Sequence, residues 1–175
     1  MNINKLKEKI SDQNLVSVYS LSRRLLIINC SQRKKRVIEA PAIDVYDGPS
    51  YRILRKHTKS DMDILILSAK YGLITHDERI SNYDQRMTKQ RALDLRDETT
   101  TKLVSVIKTH DYHEVYVDLG AAYRYAIDFN DPVLRSINFK FNEGTIGIRL
   151  HNLKDVILVR ILIVLVWVQV MLFRV

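Results

Sequence analysis

The chain carries one cysteine, Cys30. A lone cysteine excludes an internal disulfide and, within a single chain, a cysteine-rich zinc site. The five histidines are scattered, with no His-x-x-x-His pair beside a carboxylate, so the sequence holds no metal signature. A phosphate-binding P-loop is also missing, because GAAYRY lacks the glycine spacing and the lysine, and GTIGIR is too short for a dinucleotide fingerprint. No cofactor is therefore assigned. There is no internal repeat and no low-complexity linker. The opening MNINKLKEKISDQ is polar and charged, so no secretory signal is expected, and the expected address is the reducing cytoplasm.

What the sequence does have is a balance of 46% hydrophobic and 27% charged residues over 175 positions. That balance describes one globular domain with a real core. A formal charge of +8 points to an anionic partner, nucleic acid first and anionic lipid second. Nothing in the pattern indicates how many chains assemble.

Three apolar runs rich in β-formers read as strands: Leu25–Asn29, MDILILS and EVYVDL. MDILILS is unbroken enough to be buried on both faces. INFKF is expected as a fourth strand. Helices are expected after Asp47 or Gly48, with Pro49 in the first turn, from Thr88 to about His110 with Leu93, Leu103, Val104 and Ile107 along one stripe, and over GAAYRYAID. GTIGIRLHNLKD reads as a glycine-rich turn entering another helix. Alternation of strands and helices implies an α/β fold, a mainly parallel sheet flanked by helices in a single compact domain covering residues 23–155. Residues 1–22 read as an accessory amphipathic helix, with Ile3, Leu6 and Ile10 on one face, and a polar connector.

In such sheets a ligand crevice lies beyond the carboxyl ends of the strands. The three confident strands run out into NCSQRKK, SAKYGL and GAAYR, each combining small residues with a polar group. Cys30 leads the first exit. Arg33, Lys34, Lys35 and Arg36 follow closely, and cations near a thiol favour the thiolate. The alternative is a small apolar residue sealing the strand end. At the second exit, Ser68 and Gly72 bracket Lys70 and Tyr71. With Ser31, these supply a hydroxyl, an amine and a phenol able to hold a phosphate, a carboxylate or a base edge. Asp44, Tyr46 and Gly48 stand at a helix entry, where a carboxylate either caps backbone N–H groups or orients a substrate amine. Tyr83, next to Asp84 in ISNYDQRM, and Gly120 with Tyr123 at the third exit complete the candidate binding set.

The ordered pieces NCSQRKK, PAIDVYDGPSYR, DILILSAKYGLI, ISNYDQRM, VYVDLGAAYR and GTIGIRLHNLK resemble the uncharacterised domain family related to YaaA and to the catalytic domain of archaeosine synthase. The resemblance spans roughly residues 24–155. It implies an α/β domain whose strand-end residues form one pocket, and work on nucleic acid or nucleobases. YaaA-like proteins are linked to DNA binding and to protection from oxidative damage. Archaeosine synthase modifies a base in transfer RNA with a Pro-Cys-Ser motif followed by Lys-Pro-Tyr. Cys30, Ser31 and Lys34 match that motif, whereas Asn29 replaces its proline and Lys35-Arg36 replace its Pro-Tyr.

From Val156 the composition changes. VILVRILIVLVWVQVMLFRV contains no acidic residue and no glycine. Three readings are weighed: a reading-frame slip, which is favoured, then a strand or helix covering the sheet, then a tail anchor. A spanning helix needs about 20 mostly apolar residues, and Arg160 shortens the available run, so a membrane partner is disfavoured.

These observations lead to the expectation of a nucleobase- or nucleic-acid-directed enzyme. Cys30 is its nucleophile, Ser31 and Lys70 hold the substrate, and Asp44 or Tyr71 orients it or moves a proton. The alternative is a non-catalytic, basic nucleic-acid-binding protein with a protective role in stress.

Overall fold

The computed structural model describes residues 23–57 and 62–158. Its strands are β1 (Arg23–Asn29), β2 (Glu39–Pro41), β3 (Met62–Ser68), β4 (Gly72–Thr75), β5 (Arg79–Ser81), β6 (Tyr112–Asp118) and β7 (Phe139–Phe141). The helices are α1 (Ala42–Val45), α2 (Pro49–His57), α3 (Lys89–Thr109), α4 (Ala121–Arg124) and α5, residues 146–158. Five strands form one sheet in the order β4-β3-β1-β6-β7. All pairings in it are parallel except β3–β4, and β2 and β5 form a separate antiparallel pair. The α/β expectation of a mainly parallel sheet in one compact domain therefore holds.

The sheet separates two cores. Alternate residues of a strand point to opposite faces, so Leu25 and Ile27 join Ala92, Leu95 and Leu103 of α3. Leu26 and Ile28 face Tyr51 and Leu54 of α2 and Leu153 and Ile157 of α5. The whole of β1 from Arg24 to Ile28 is buried, which is why its sequence shows an unbroken apolar run rather than alternation.

Helix α3 starts at the Thr88 cap, whose hydroxyl accepts the Arg91 amide at 3.0 Å, and stops at His110. Of the expected stripe, Leu103 is buried and Val104 and Ile107 are partly buried against the same core, while Ala92, Leu95, Thr99 and Thr100 complete the buried face. Leu93 is exposed and Ala92 is buried. At 3.6 residues per turn, Ala92 lies about 20° from Leu103 around the axis and Leu93 about 80°.

GAAYRYAID forms only the single turn α4. Thr99 Oγ1 donates to the Ala126 carbonyl, and Thr100 Oγ1 accepts the Asp128 amide at 2.9 Å, so α3 captures backbone groups that a longer helix would use. The SAKYGL exit makes its turn at the glycine. It turns back as a hairpin, with Ser68 opposite Gly72 and Gly72 at φ +68°, a left-handed conformation natural to glycine.

The glycine-rich segment does enter a helix. Residues 156–158, the first of the apolar tail, belong to α5, with Ile157 buried and the Val156 carbonyl accepting Arg24 Nη1 at 2.5 Å. The remaining tail, the helix expected within residues 1–22 and the three readings of the tail lie outside the described residues. Among the described residues, no helix is long and apolar enough to cross a membrane.

Candidate functional site

Parallel pairing brings the carboxyl ends of β3, β1 and β6 to one edge, and the register decides what faces what. Asn29 pairs with Leu67 and Ile28 with Asp118. Registered neighbours share a face, so Ser68, Cys30 and Asp118 all emerge on the α2–α5 side. Asn29 ties the first and third ends together. Its Oδ1 accepts the Gly120 amide at 3.1 Å, and its Nδ2 donates to the Cys30 carbonyl at 3.0 Å. Tyr51 of α2 braces the same corner by donating to the Asn29 carbonyl at 3.0 Å.

Cys30 is 6% exposed. Its sulfur lies 3.2 Å from the Tyr123 hydroxyl, at the wall of a cavity of about 170 Å³ that Ser31, Lys34, Asp84, Gln85 and Tyr123 also line. Ser31 packs on Gly48, where any Cβ would stand 2.6 Å from its Oγ. Only glycine admits that approach.

Beside the cavity runs a chain of hydroxyls. Ser68 Oγ accepts the amides of Lys70 (3.2 Å) and Tyr71 (3.1 Å), which occupies its two lone pairs. It therefore donates to Tyr83 Oη at 2.8 Å. Tyr83 in turn meets Tyr46 Oη at 2.8 Å. Tyr71 stacks edge-on to Tyr83 with centroids 5.3 Å apart and donates to the Ser81 carbonyl.

The cations do not gather on the thiol. Arg33 joins Arg52 and Arg55 around Asp47, each at 3.1 Å, and these guanidiniums, Arg52 first, hold the Asp47 carboxyl below its ordinary range. Lys34 turns its ammonium over the Tyr83 ring, 4.1 Å from the centroid. Lys70 lies 4.9 Å over Tyr71 and 5.8 Å from Tyr83, a cation–π arrangement. Lys35 and Arg36 are exposed.

Of the residues singled out in the sequence, Cys30, Ser31, Lys34 and Tyr123 meet at one cavity. Lys70, Tyr71, Ser68 and Tyr83 flank it. Gly48 packs behind Ser31 and Gly120 lies near Asn29 and Tyr123, both outside the cavity lining, and Gly72 shapes the hairpin. Tyr46 is fully buried, so it supports Tyr83 rather than touching a ligand. Asp44 is exposed on α1, outside the cavity lining. The neighbouring Asp47 is the carboxylate that organises the loop. Sequence reasoning missed Asn29, Tyr51 and Asp118. A lone carboxylate ending a buried strand was the one available signal for Asp118.

Burial pushes the phenols of Tyr46, Tyr51, Tyr83 and Tyr123 upward, the nearby sulfur of Cys30 adding to each. They therefore remain protonated and able to donate hydrogen bonds at any ordinary pH. An unfolded tyrosine titrates near pH 10. Above that pH the unfolded chain binds fewer protons than the native one, so stability is complete below about pH 10 and falls as pH rises. Melting followed by circular dichroism should show this decline between pH 9 and 11. Tyr83→Phe should make it shallower, and identical pH profiles would refute the assignment.

Residues 25–155 match a family of unknown function, DUF6884. No curated protein and no solved structure matches the chain.

Proposed function

Given that the chain belongs to the DUF6884 family, whose function is unknown, we propose that it is an enzyme acting on a nucleobase, free or within a nucleic acid, through Cys30. The observation that carries this reading is the meeting of Cys30 and Tyr123, 3.2 Å apart, at a cavity between the ends of neighbouring parallel strands. Its volume of about 170 Å³ is below the roughly 300–1,000 Å³ of pockets for drug-sized ligands, which suits one heterocyclic ring system. The resemblance of Cys30, Ser31 and Lys34 to the motif of archaeosine synthase supports the same substrate class.

In the proposed step the sulfur of the Cys30 thiol adds to an electron-poor ring carbon and forms an S–C bond. The π pair of the attacked bond moves to a ring nitrogen, which takes the proton of the Tyr123 hydroxyl while the thiol proton passes to Tyr123 Oη, so the phenol stays neutral. Reversal restores the thiol and the ring. Gln85 and Ser31 are placed to hold the ring edge. Lys34 and Lys70, over their tyrosine rings, are placed for phosphate or the ring face. The exposed Lys35 and Arg36 support polyanion recruitment, and they also carry the second reading, a binding protein without catalysis.

The test presents the full chain separately with single-stranded RNA, single-stranded DNA and free nucleosides. Mass spectrometry then follows the bases and the Cys30 peptide. A base-dependent adduct on Cys30 with at least one of them is expected. No adduct and no change of any base would overturn the enzyme. Binding that persists and weakens with salt would then favour the second reading, and exchanging Lys35 and Arg36 for Gln should lower its log–log slope by about 2.

A further inference from the structure

Asp118 ends β6 with its side chain 5% exposed, and its hydrogen bonds all reach one oxygen. Arg149 Nε (2.8 Å), Arg149 Nη2 (2.5 Å) and Asn142 Nδ2 (3.1 Å) donate to Oδ1. No described residue donates to Oδ2. A carboxylate offers about four lone-pair sites, so Oδ2 keeps acceptor capacity while remaining open to the space beside it rather than sealed in the core. Asp118 lines a cavity of about 190 Å³ between β1, β6, β7 and α5, with Leu26, Phe141, Leu153 and Val156 as apolar walls and Tyr116, Lys140, Asn142 and Asn152 as polar ones. This cavity shares no lining residue with that of Cys30.

The chemistry of an occupant follows from these groups. Arg149 already balances the carboxylate charge, so a cation gains little. Lys140 and Tyr116 are committed to Glu114, so apolar walls beside a carboxylate acceptor and side-chain amides match a flat, neutral body carrying an N–H donor. We propose that the cavity binds an amino-bearing heterocycle of nucleobase type, held by an N–H···Oδ2 hydrogen bond to Asp118. The heterocycle is either free or part of a polymer. This site is separate from the Cys30 reading, and its test reads binding rather than turnover, so either can fail alone.

The probes are 9-methyladenine, 9-methylguanine and 1-methylcytosine, compared with 9-methylpurine, which has no N–H donor. Calorimetric titration of the full chain should show at least one amino-bearing probe binding about tenfold or more tightly than 9-methylpurine. Asp118→Asn should reduce that preference to about threefold or less. Val156→Phe, which fills the cavity and leaves the Asp118–Arg149 pair in place, should weaken every probe about tenfold and keeps the test decisive if Asp118→Asn does not fold. Displacement by a single-stranded oligonucleotide assigns the pocket to a base in a polymer, and failure to displace assigns it to a free heterocycle. Absence of binding by all three amino-bearing probes, equal affinity for 9-methylpurine, or wild-type affinity in the folded variants would overturn the proposal.

Discussion

Cys30→Ala should lower turnover on the responsive base by about 10³-fold or more, while affinity for the oligonucleotide stays within about twofold. In the proposed step the sulfur supplies the attacking electron pair, and no second cysteine can substitute for it. Binding rests on other groups, namely the cavity edge and the exposed cations. Cys30 contributes a small buried volume beside Tyr123, so its loss should cost about 1 kcal/mol of stability, leaving the variant folded. Cys30→Ser is the companion, since it keeps a hydrogen-bonding partner for Tyr123 with a far weaker nucleophile. It should fail as severely as the alanine variant. Full activity in either would end the nucleophile assignment, and equal loss of binding and turnover would point to a packing role.

Tyr46→Ala should be the most destabilising change near the site, by about 4 kcal/mol. The ring is fully buried, 5.1 Å from that of Tyr51 and edge-on to Tyr83 at 6.4 Å. Truncation opens a cavity where α1, α2 and the Tyr83 loop meet. A loss of that size removes a large share of the roughly 5–15 kcal/mol typical of a domain. Tyr46→Phe separates ring from hydroxyl. It should cost only about 1 kcal/mol, because Tyr83 keeps Ser68 as a partner at 2.8 Å. Urea unfolding followed by far-UV circular dichroism checks both, as a fall in midpoint with unchanged slope. A phenylalanine variant as unstable as the alanine one would show that the hydroxyl chain, and not the packed ring, holds this corner together.

Local signals were legible where burial or capping writes itself into consecutive residues. The apolar runs of β1 and β3 reflect central strands covered on both sides, and Thr88 marks the start of α3 by its own hydrogen bond. The strand-end rule placed Cys30, Ser68 and Tyr123 at one edge before any coordinate. Other features left little trace. β2 and β5 have three residues each, too few for a period. The hairpin after Ser68 depends on where β4 pairs, and the shortening of α4 depends on two threonines more than twenty positions away.

By itself, then, the sequence determined the alternation of strand and helix and the mainly parallel sheet, because each follows from periodicity, local caps and residue type. Only the tertiary structure decided which charges face which groups. Arg33 goes to Asp47, Lys34 and Lys70 go to tyrosine rings, Asp44 goes to solvent, and Asp118 is held by Arg149 from 31 residues away. The physical reason is range. Backbone propensity acts over a few residues, whereas a long charged side chain settles wherever folding brings an opposite charge or a π face within a few ångströms.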